Sequence, residues 1–452
     1  MMDVTQYVDA QNGYLHGEIF TNPEIYEQEL QQVFSRSWVF LAHDSMLPKA
    51  GDFIQNYIGE DPVIVARQKD GSVAAFLNQC RHRGMRLARV DRGNAKSFTC
   101  TFHGWNYSID GKLANVPHGD AIYDPKDLSD ANCRRVRLHN YKGFIFGTWD
   151  HEAPDFLSYL GDFAWYLDAY LDRYEGGFEV VAFHKWVVPG NWKFNAEQPA
   201  SDAYHAASSH ISAIEARLAQ APQGEPQTKE ALKRMEMLAA PVGNQVGSPY
   251  GHGAGWFTKG APINHPVVNA WDESMIPHVS ARIGAERVNL MAHANVFPTF
   301  MLLNNFSFRI TLPRGPDKME IWAWTMVPKC APDEVKDVMR REVVHTFSPA
   351  GMFEQDDALN WEEEQHVLRG AMARRTPLIY RQRLGQARWD ADGLPGKTAG
   401  HVFAEEGARM LYQHWLDLMS GESWDSMAAK KQAREHLERQ RQQATNTQGA
   451  LA

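Results

Sequence analysis

The sequence predicts an α+β chain: an all-β domain, then a larger domain whose antiparallel β-sheet is covered by helices. Three observations carry this. Short β-branched and aromatic runs, separated by turn pairs such as Asp70-Gly71, fill residues 38–150. Beyond them, runs with apolar residues at helical spacing mix with strand-like runs. Two sets of Cys, His and Asp residues fall one in each part. The expected division is an N-terminal helical segment packing with the larger domain (1–37), the all-β domain (38–150) and the larger domain (151–452).

Each element has its own signal. Pro23 opens an amphipathic helix over 22–36, with Ile25, Leu30, Val33 and Phe34 on one face. Strands follow at 52–58, 62–68 and 73–77, with hairpin turns at Asp70-Gly71 and Asp110-Gly111, and residues 143–149 close the domain. A helix is expected over 153–174, from the spacing of Phe156, Leu160, Phe163, Leu167 and Leu171. Residues 180–188, 289–297, 300–312 and 319–327 read as strands of one antiparallel sheet; 332–346, 354–369 and 404–419 read as helices. The stretch 221–260, rich in Pro, Gly and Gln, reads as a loop over a pocket mouth or a surface excursion. Residues 430–443 read as a charged helix with a frayed end at 444–452.

Composition excludes several function classes. A net charge of −9 gives no support for nucleic-acid binding. No apolar run approaches the ~20 residues of a membrane span. The first residues lack a signal peptide's basic and apolar regions, and four Cys in 452 residues are no disulfide scaffold, so a reducing, cytoplasmic setting is expected.

The first metal set is Cys80-Arg81-His82, then seventeen residues, then Cys100-Thr101-Phe102-His103. Two Cys-plus-His pairs suit a [2Fe–2S] cluster in which imidazoles replace two thiolates on one iron. Zinc also accepts two Cys and two His, so ligand count alone leaves it open. The flanks, Cys80-Arg81-His82-Arg83-Gly84 and Phe102-His103-Gly104-Trp105, resemble the paired cluster loops of Rieske domains. Cys133 and Cys330 read as buried, small apolar residues. Around the first loop, Arg81, Arg83, Arg86, Arg89, Arg92 and Lys96 face a single acid, Asp91. That patch suits an acidic ferredoxin, or pairing with carboxylates within an oligomer.

The second set is Asp202-Ala203-Tyr204-His205 and His210, with a third ligand expected in Glu354-Gln355-Asp356-Asp357. Two His and one carboxylate on one face of a ferrous ion leave positions open for O2 and substrate. On an ideal helix His205 and His210 would stand about 140° apart, so they converge only where the helix bends or unwinds.

The run from Asn191 to Gln198, with Asp202, His205 and His210, resembles the iron motif of aromatic-ring-hydroxylating dioxygenase α subunits, nearest the biphenyl/toluene/phenylpropionate branch. The resemblance covers most of the chain. It implies that His205, His210 and Asp357 bind mononuclear Fe(II), with Asp356 the rival to Asp357. It implies that Asp202 bridges His205 to the cluster ligand His103 of a neighbouring chain, so that the working unit is a ring, α3 or α3β3 with a small β subunit. It implies a pocket lined by Gln198, Ala203, Ala206, Phe347 and Phe353, to which Met291, His293, Phe300 and Leu302 add from the sheet. The implied activity is addition of both atoms of O2 to an arene, giving a cis-dihydrodiol, with electrons from NADH through a reductase and a ferredoxin. Two other readings stay open: a Rieske monooxygenase acting on an aromatic acid such as salicylate, for which Arg309 is the candidate anchor, and a pure electron-transfer protein.

Overall fold

The computed structural model describes residues 2–213, 215, 242–257, 265–290, 293–303 and 306–450. It divides into two compact units, Phe34–Ala153 and Met1–Val33 with Pro154–Ala452.

In the smaller unit, Asp52–Ile58, Asp61–Arg67 and Val73–Leu77 form an antiparallel meander, and Arg92–Asn94 joins beside the first. A second sheet pairs Val39–His43 with Phe144–Thr148 and Arg137–Tyr141. A third, of Ser97–Thr99, Asn106–Ser108 and Leu113–Asn115, carries one cluster loop at its turn. Gly71 and Gly111 take positive φ (87° and 82°), as the two Asp-Gly turns require. Two apolar clusters fill the unit; one contains Cys80, Cys100 and Trp105, so the cluster loops grow directly out of a core.

The larger unit is built on an antiparallel sheet. Among the described residues its order is Phe178–Val188, Met319–Pro328, Ser307–Pro313, Phe300–Leu303, His293–Val296, Gly253–Phe257, Gly243–Gly247, Lys397–Thr398, Arg388–Trp389. Helices Trp192–Ser201 and Glu406–Met419 pack on its middle strands, and Asp333–Phe347 packs against Met319–Pro328 and against helix Met352–Leu368. The N-terminal segment is tied in through Glu29, which is wholly buried. Its carboxylate accepts from Lys193 Nζ (2.6 Å), Trp192 Nε1 (2.8 Å) and Trp415 Nε1 (2.8 Å). Burying an ion pair repays its desolvation only when further hydrogen bonds satisfy it, and the two indole N–H groups do so for the Glu29 carboxylate. The effect is to anchor the start of helix Trp192–Ser201, which leads into the His205 segment.

Several sequence expectations are corrected. The helix expected over 153–174 is two, Phe156–Leu160 and Phe163–Leu171, because Gly161 at φ 53° breaks it. The first helix is Pro23–Glu29, loosening to a π-helical turn at Leu30–Phe34. The strand expected over 300–312 is a hairpin, Phe300–Leu303 and Ser307–Pro313, with Phe306 in the turn at φ 64°. Part of the expected 221–260 loop is a strand pair, Gly243–Gly247 with Gly253–Phe257; the parts at 221–241 and 258–260 lie outside the described residues. Helix Pro266–Ile283 was not foreseen. The C-terminal helix runs Trp424–Ala450, longer than the expected 430–443; residues 451–452 of the end expected to fray lie outside the described residues. Cys133 is buried, but Cys330 is exposed in the turn after strand Met319–Pro328.

Candidate metal centres

The two cluster loops are built alike. Cys80 N–H donates to the Met85 carbonyl (2.8 Å) and Gly84 N–H to the Cys80 carbonyl (2.9 Å). In the second loop Cys100 N–H donates to Trp105 (2.7 Å) and Gly104 N–H to Cys100 (3.0 Å). Gly84 and Gly104 both sit at φ 75°, a left-handed conformation that costs other residues roughly 1–2 kcal/mol. A side chain at Gly104 would also meet the Pro117 ring at 2.9 Å.

These turns bury both cysteines and leave His103 exposed and His82 half-buried. The His82 and His103 rings lie 4.4 Å apart, and Trp105 stacks on His82 at 5.2 Å. His82 Nδ1 is buried with no partner among the described residues. Burial pushes the Cys80 thiol up, and the adjoining Cys100 sulfur adds to this. Two crowded, buried sulfurs beside an orphaned imidazole nitrogen fit a cationic iron–sulfur centre, which holds both as thiolates. Tyr107, unremarked in the sequence, accepts the Arg81 N–H (2.9 Å) and lies 3.6 Å from Cys80 Sγ.

The second set assembles where a helix stops. Asn191 caps helix Trp192–Ser201, its side chain accepting from Lys193 N. Pro199 near its end lacks an N–H, and the helix ends at Ser201. The chain continues as a tight 3-10 turn, Tyr204–Ala207, so His205 and His210 are not on one helix and the angular objection falls away. Asp357, 1% exposed, reaches them from the buried face of helix Met352–Leu368.

The three ligand atoms form a compact triangle. His205 Nε2 and His210 Nε2 lie 3.1 Å apart, and Asp357 Oδ1 lies 3.4 Å from each. Adjacent ligands on an octahedral ion with bonds of about 2.1 Å are roughly 3 Å apart, so the triangle fits one face of such an ion. Gln198 Nε2 donates to Asp357 Oδ1 (2.8 Å) and lies 3.2 Å from His205 Nε2. Burial opposes charge on His205, yet Asp202, with Asp357 behind it, pushes it up to about 9. His210 goes the other way: burial, with His205 beside it, pushes it down in spite of Asp357. Asp202 contacts His205 Nδ1 through its backbone carbonyl (2.5 Å) and its carboxylate (3.1 Å).

Of the expected pocket residues, Phe353 packs on the His210 ring at 4.8 Å and Phe347 packs on Phe353 at 5.5 Å. Ala203 is buried and Ala206 half-buried, flanking His205. Phe300 and Leu302 are buried in the sheet, and His293 Nδ1–H donates to the Pro199 carbonyl (2.6 Å). Met291 lies outside the described residues. Arg309 is 1% exposed and bound to Glu354, with its guanidinium over the Phe347 ring at 5.7 Å. Burial, aided by Asp357, pushes Glu354 up to about 8 in spite of Arg309.

Three further residues take places that the sequence reading did not assign them. Asp356 faces His210 Nδ1 at 3.3 Å. Glu354 holds Arg309. Glu197 accepts from both Tyr380 OH (3.0 Å) and Tyr412 OH. Spacing could have suggested only Asp356, as the helical neighbour of Asp357.

Comparison with known proteins places these features. Residues 37–132 match the Rieske [2Fe-2S] domain, and residues 158–421 match the catalytic domain of the ring hydroxylating alpha subunit. The chain is 41% identical to the benzene 1,2-dioxygenase subunit alpha of Pseudomonas putida, over 95% of this chain and 96% of that one. It is 43% identical to the biphenyl 2,3-dioxygenase subunit alpha of Rhodococcus jostii, over 95% and 94%. A solved structure of naphthalene 1,2-dioxygenase with indole in its active site superposes with a TM-score of 0.88 at 31% identity, covering 97% of this chain and 98% of that one.

Proposed function

The chain belongs to the ring-hydroxylating dioxygenase α-subunit family, and from that premise we propose that it is the terminal oxygenase of a multicomponent arene dioxygenase. The reaction consumes an arene, O2, two electrons and two protons and yields a cis-dihydrodiol. The observation that carries it is the His205–His210–Asp357 triangle beside an aromatic wall.

Cys80, His82, Cys100 and His103 would hold the [2Fe–2S] cluster, and His205, His210 and Asp357 the mononuclear Fe(II). When bound, the cluster supplies single electrons and the ferrous ion supplies the place where O2 is activated. The chain's own residues do the rest. Gln198 holds the Asp357 carboxylate by its 2.8 Å hydrogen bond. Asp202 fixes the His205 ring through Nδ1, which leaves Nε2 for the metal. Phe347 and Phe353, their rings tilted 46° to each other beside His210, offer apolar contacts to an aromatic ring. Arg309, the candidate anchor for an aromatic acid, is already engaged by Glu354, which supports a neutral arene as substrate.

His103 is exposed and the Asp202 side chain 45% exposed, which supports their meeting between copies in an α3 or α3β3 ring. The exposed basic residues Arg81, Arg83, Arg86, Arg89, Arg92 and Lys96 favour an acidic ferredoxin that is itself reduced through a reductase using NADH.

The test is turnover of the holoenzyme with reductase, ferredoxin and NADH on benzene, biphenyl, naphthalene, benzoate and salicylate. Dihydrodiols from the neutral arenes are expected. Oxygenation of the two acids alone would overturn the reading.

A further inference from the structure

We propose that Asp356 is the positioning residue that fixes His210 for metal binding. His210 Nδ1 lies 3.3 Å from Asp356 Oδ2, while Nε2 lies 3.4 Å from Asp357 Oδ1. Consecutive carboxylates on one helix thus address opposite nitrogens of the same ring. Neighbouring helical residues point about 100° apart, which lets the pair clasp a ring between them.

The chemistry assigns the roles. A carboxylate only accepts, so the hydrogen sits on Nδ1 and the Nε2 lone pair is turned toward His205 and Asp357. The Phe353 ring, 4.8 Å away, packs beside the same imidazole. His205 has its own such carboxylate in Asp202. Each imidazole of the triangle is therefore backed by a separate aspartate, and helix Met352–Leu368 brings both the shared carboxylate and the partner of His210. The competing role for Asp356 is an ordinary acid in the first turns of a helix, favoured by the helix dipole. That role touches stability and leaves metal affinity alone. A carboxylate behind a ligating histidine is typically worth about 10–100-fold in metal affinity.

The inference rests on His210 being an iron ligand, and the experiment separates the two. Wild-type protein, D356A, D356N, D356L and H210A, each with its cluster in place, are depleted of mononuclear iron and retitrated anaerobically with Fe(II) against a competing chelator. The cluster's visible absorption reports that the smaller unit of each variant is folded, and a thermal unfolding curve reports the same for the unit that holds His210 and Asp356. Asp356→Ala is expected to weaken Fe(II) binding by about 10–100-fold. Asp356→Asn, whose amide oxygen still accepts from Nδ1–H, restores most of it. Asp356→Leu fills the same space without an acceptor and matches Ala, which keeps the test open if Ala perturbs folding. If Ala and Leu bind Fe(II) within twofold of wild type while His210→Ala loses it, Asp356 has no positioning role. If His210→Ala binds Fe(II) normally, the ligand reading itself is wrong and the inference falls with it.

Discussion

Asp202 touches His205 Nδ1 twice, by its backbone carbonyl at 2.5 Å and by its carboxylate at 3.1 Å. The two contacts come apart on mutation. Asp202→Ala removes the carboxylate and keeps the carbonyl, so His205 stays oriented and iron still loads. Product formation is nevertheless expected to fall by at least about tenfold, the lower end for loss of such a partner. The check is coupled turnover together with iron content and the cluster spectrum. Near-normal turnover at full metal content would remove Asp202 from the electron path. The resemblance of the flanking runs made Cys80, His82, Cys100, His103, His205 and His210 readable; residue types and spacing alone left zinc open at the first set and set the two histidines of the second about 140° apart on an ideal helix. What could not be read is which side of a ring each carboxylate takes. Asp356 and Asp357 are chemically identical neighbours, and only the direction of helix Met352–Leu368 separates their roles.

Strand Ser307–Pro313 and helix Met352–Leu368 are joined by Arg309 and Glu354, both 1% exposed. A buried pair is costly to break on one side and cheap to replace as a whole. Arg309→Met alone is expected to destabilise by about 1–3 kcal/mol, since the Glu354 carboxyl, which burial already pushes up, takes a proton and is left buried without its partner. The double variant R309M/E354M should regain most of that loss. Thermal unfolding midpoints of the two proteins decide it; equal destabilisation would mean that the pair is not what holds these elements. At this scale, legibility followed pattern strength. Strands with clear alternation or continuous burial, such as Asp52–Ile58 and Met319–Pro328, were foreseen nearly to the residue. Helix Pro266–Ile283 was missed because, of its eighteen residues, only Val268, Asn269, Val279 and Ile283 are buried, and Pro277, a residue type that usually ends helices, lies inside it. The hairpin within 300–312 was missed although Asn304-Asn305, a turn signal, stands between its two apolar runs.

Across the whole molecule, pH should act through His252. Its Nε2–H donates to the Tyr159 carbonyl (2.9 Å) and its Nδ1 accepts the Phe297 N–H (3.0 Å), so both bonds need a neutral ring. Burial pushes its pKa down to about 3. An unfolded histidine titrates near about 6.5, so the unfolded chain takes up the proton first as pH falls. The stabilisation is therefore complete above pH ~6.5 and is lost progressively toward pH ~3, a span worth roughly 5 kcal/mol. His252→Gln keeps a donor and an acceptor without titrating. Its unfolding midpoint should fall less steeply than that of wild type over this range, and parallel curves would contradict the assignment.

The central claim is that this chain places both atoms of one O2 molecule on an aromatic ring, and the most direct measurement is the isotopic content of the product. Holoenzyme with reductase, ferredoxin and NADH would be given biphenyl under 18O2, and the product analysed by mass spectrometry. The account predicts two labelled oxygens on adjacent carbons of one ring. A single labelled oxygen, with the second drawn from water or absent, would contradict it.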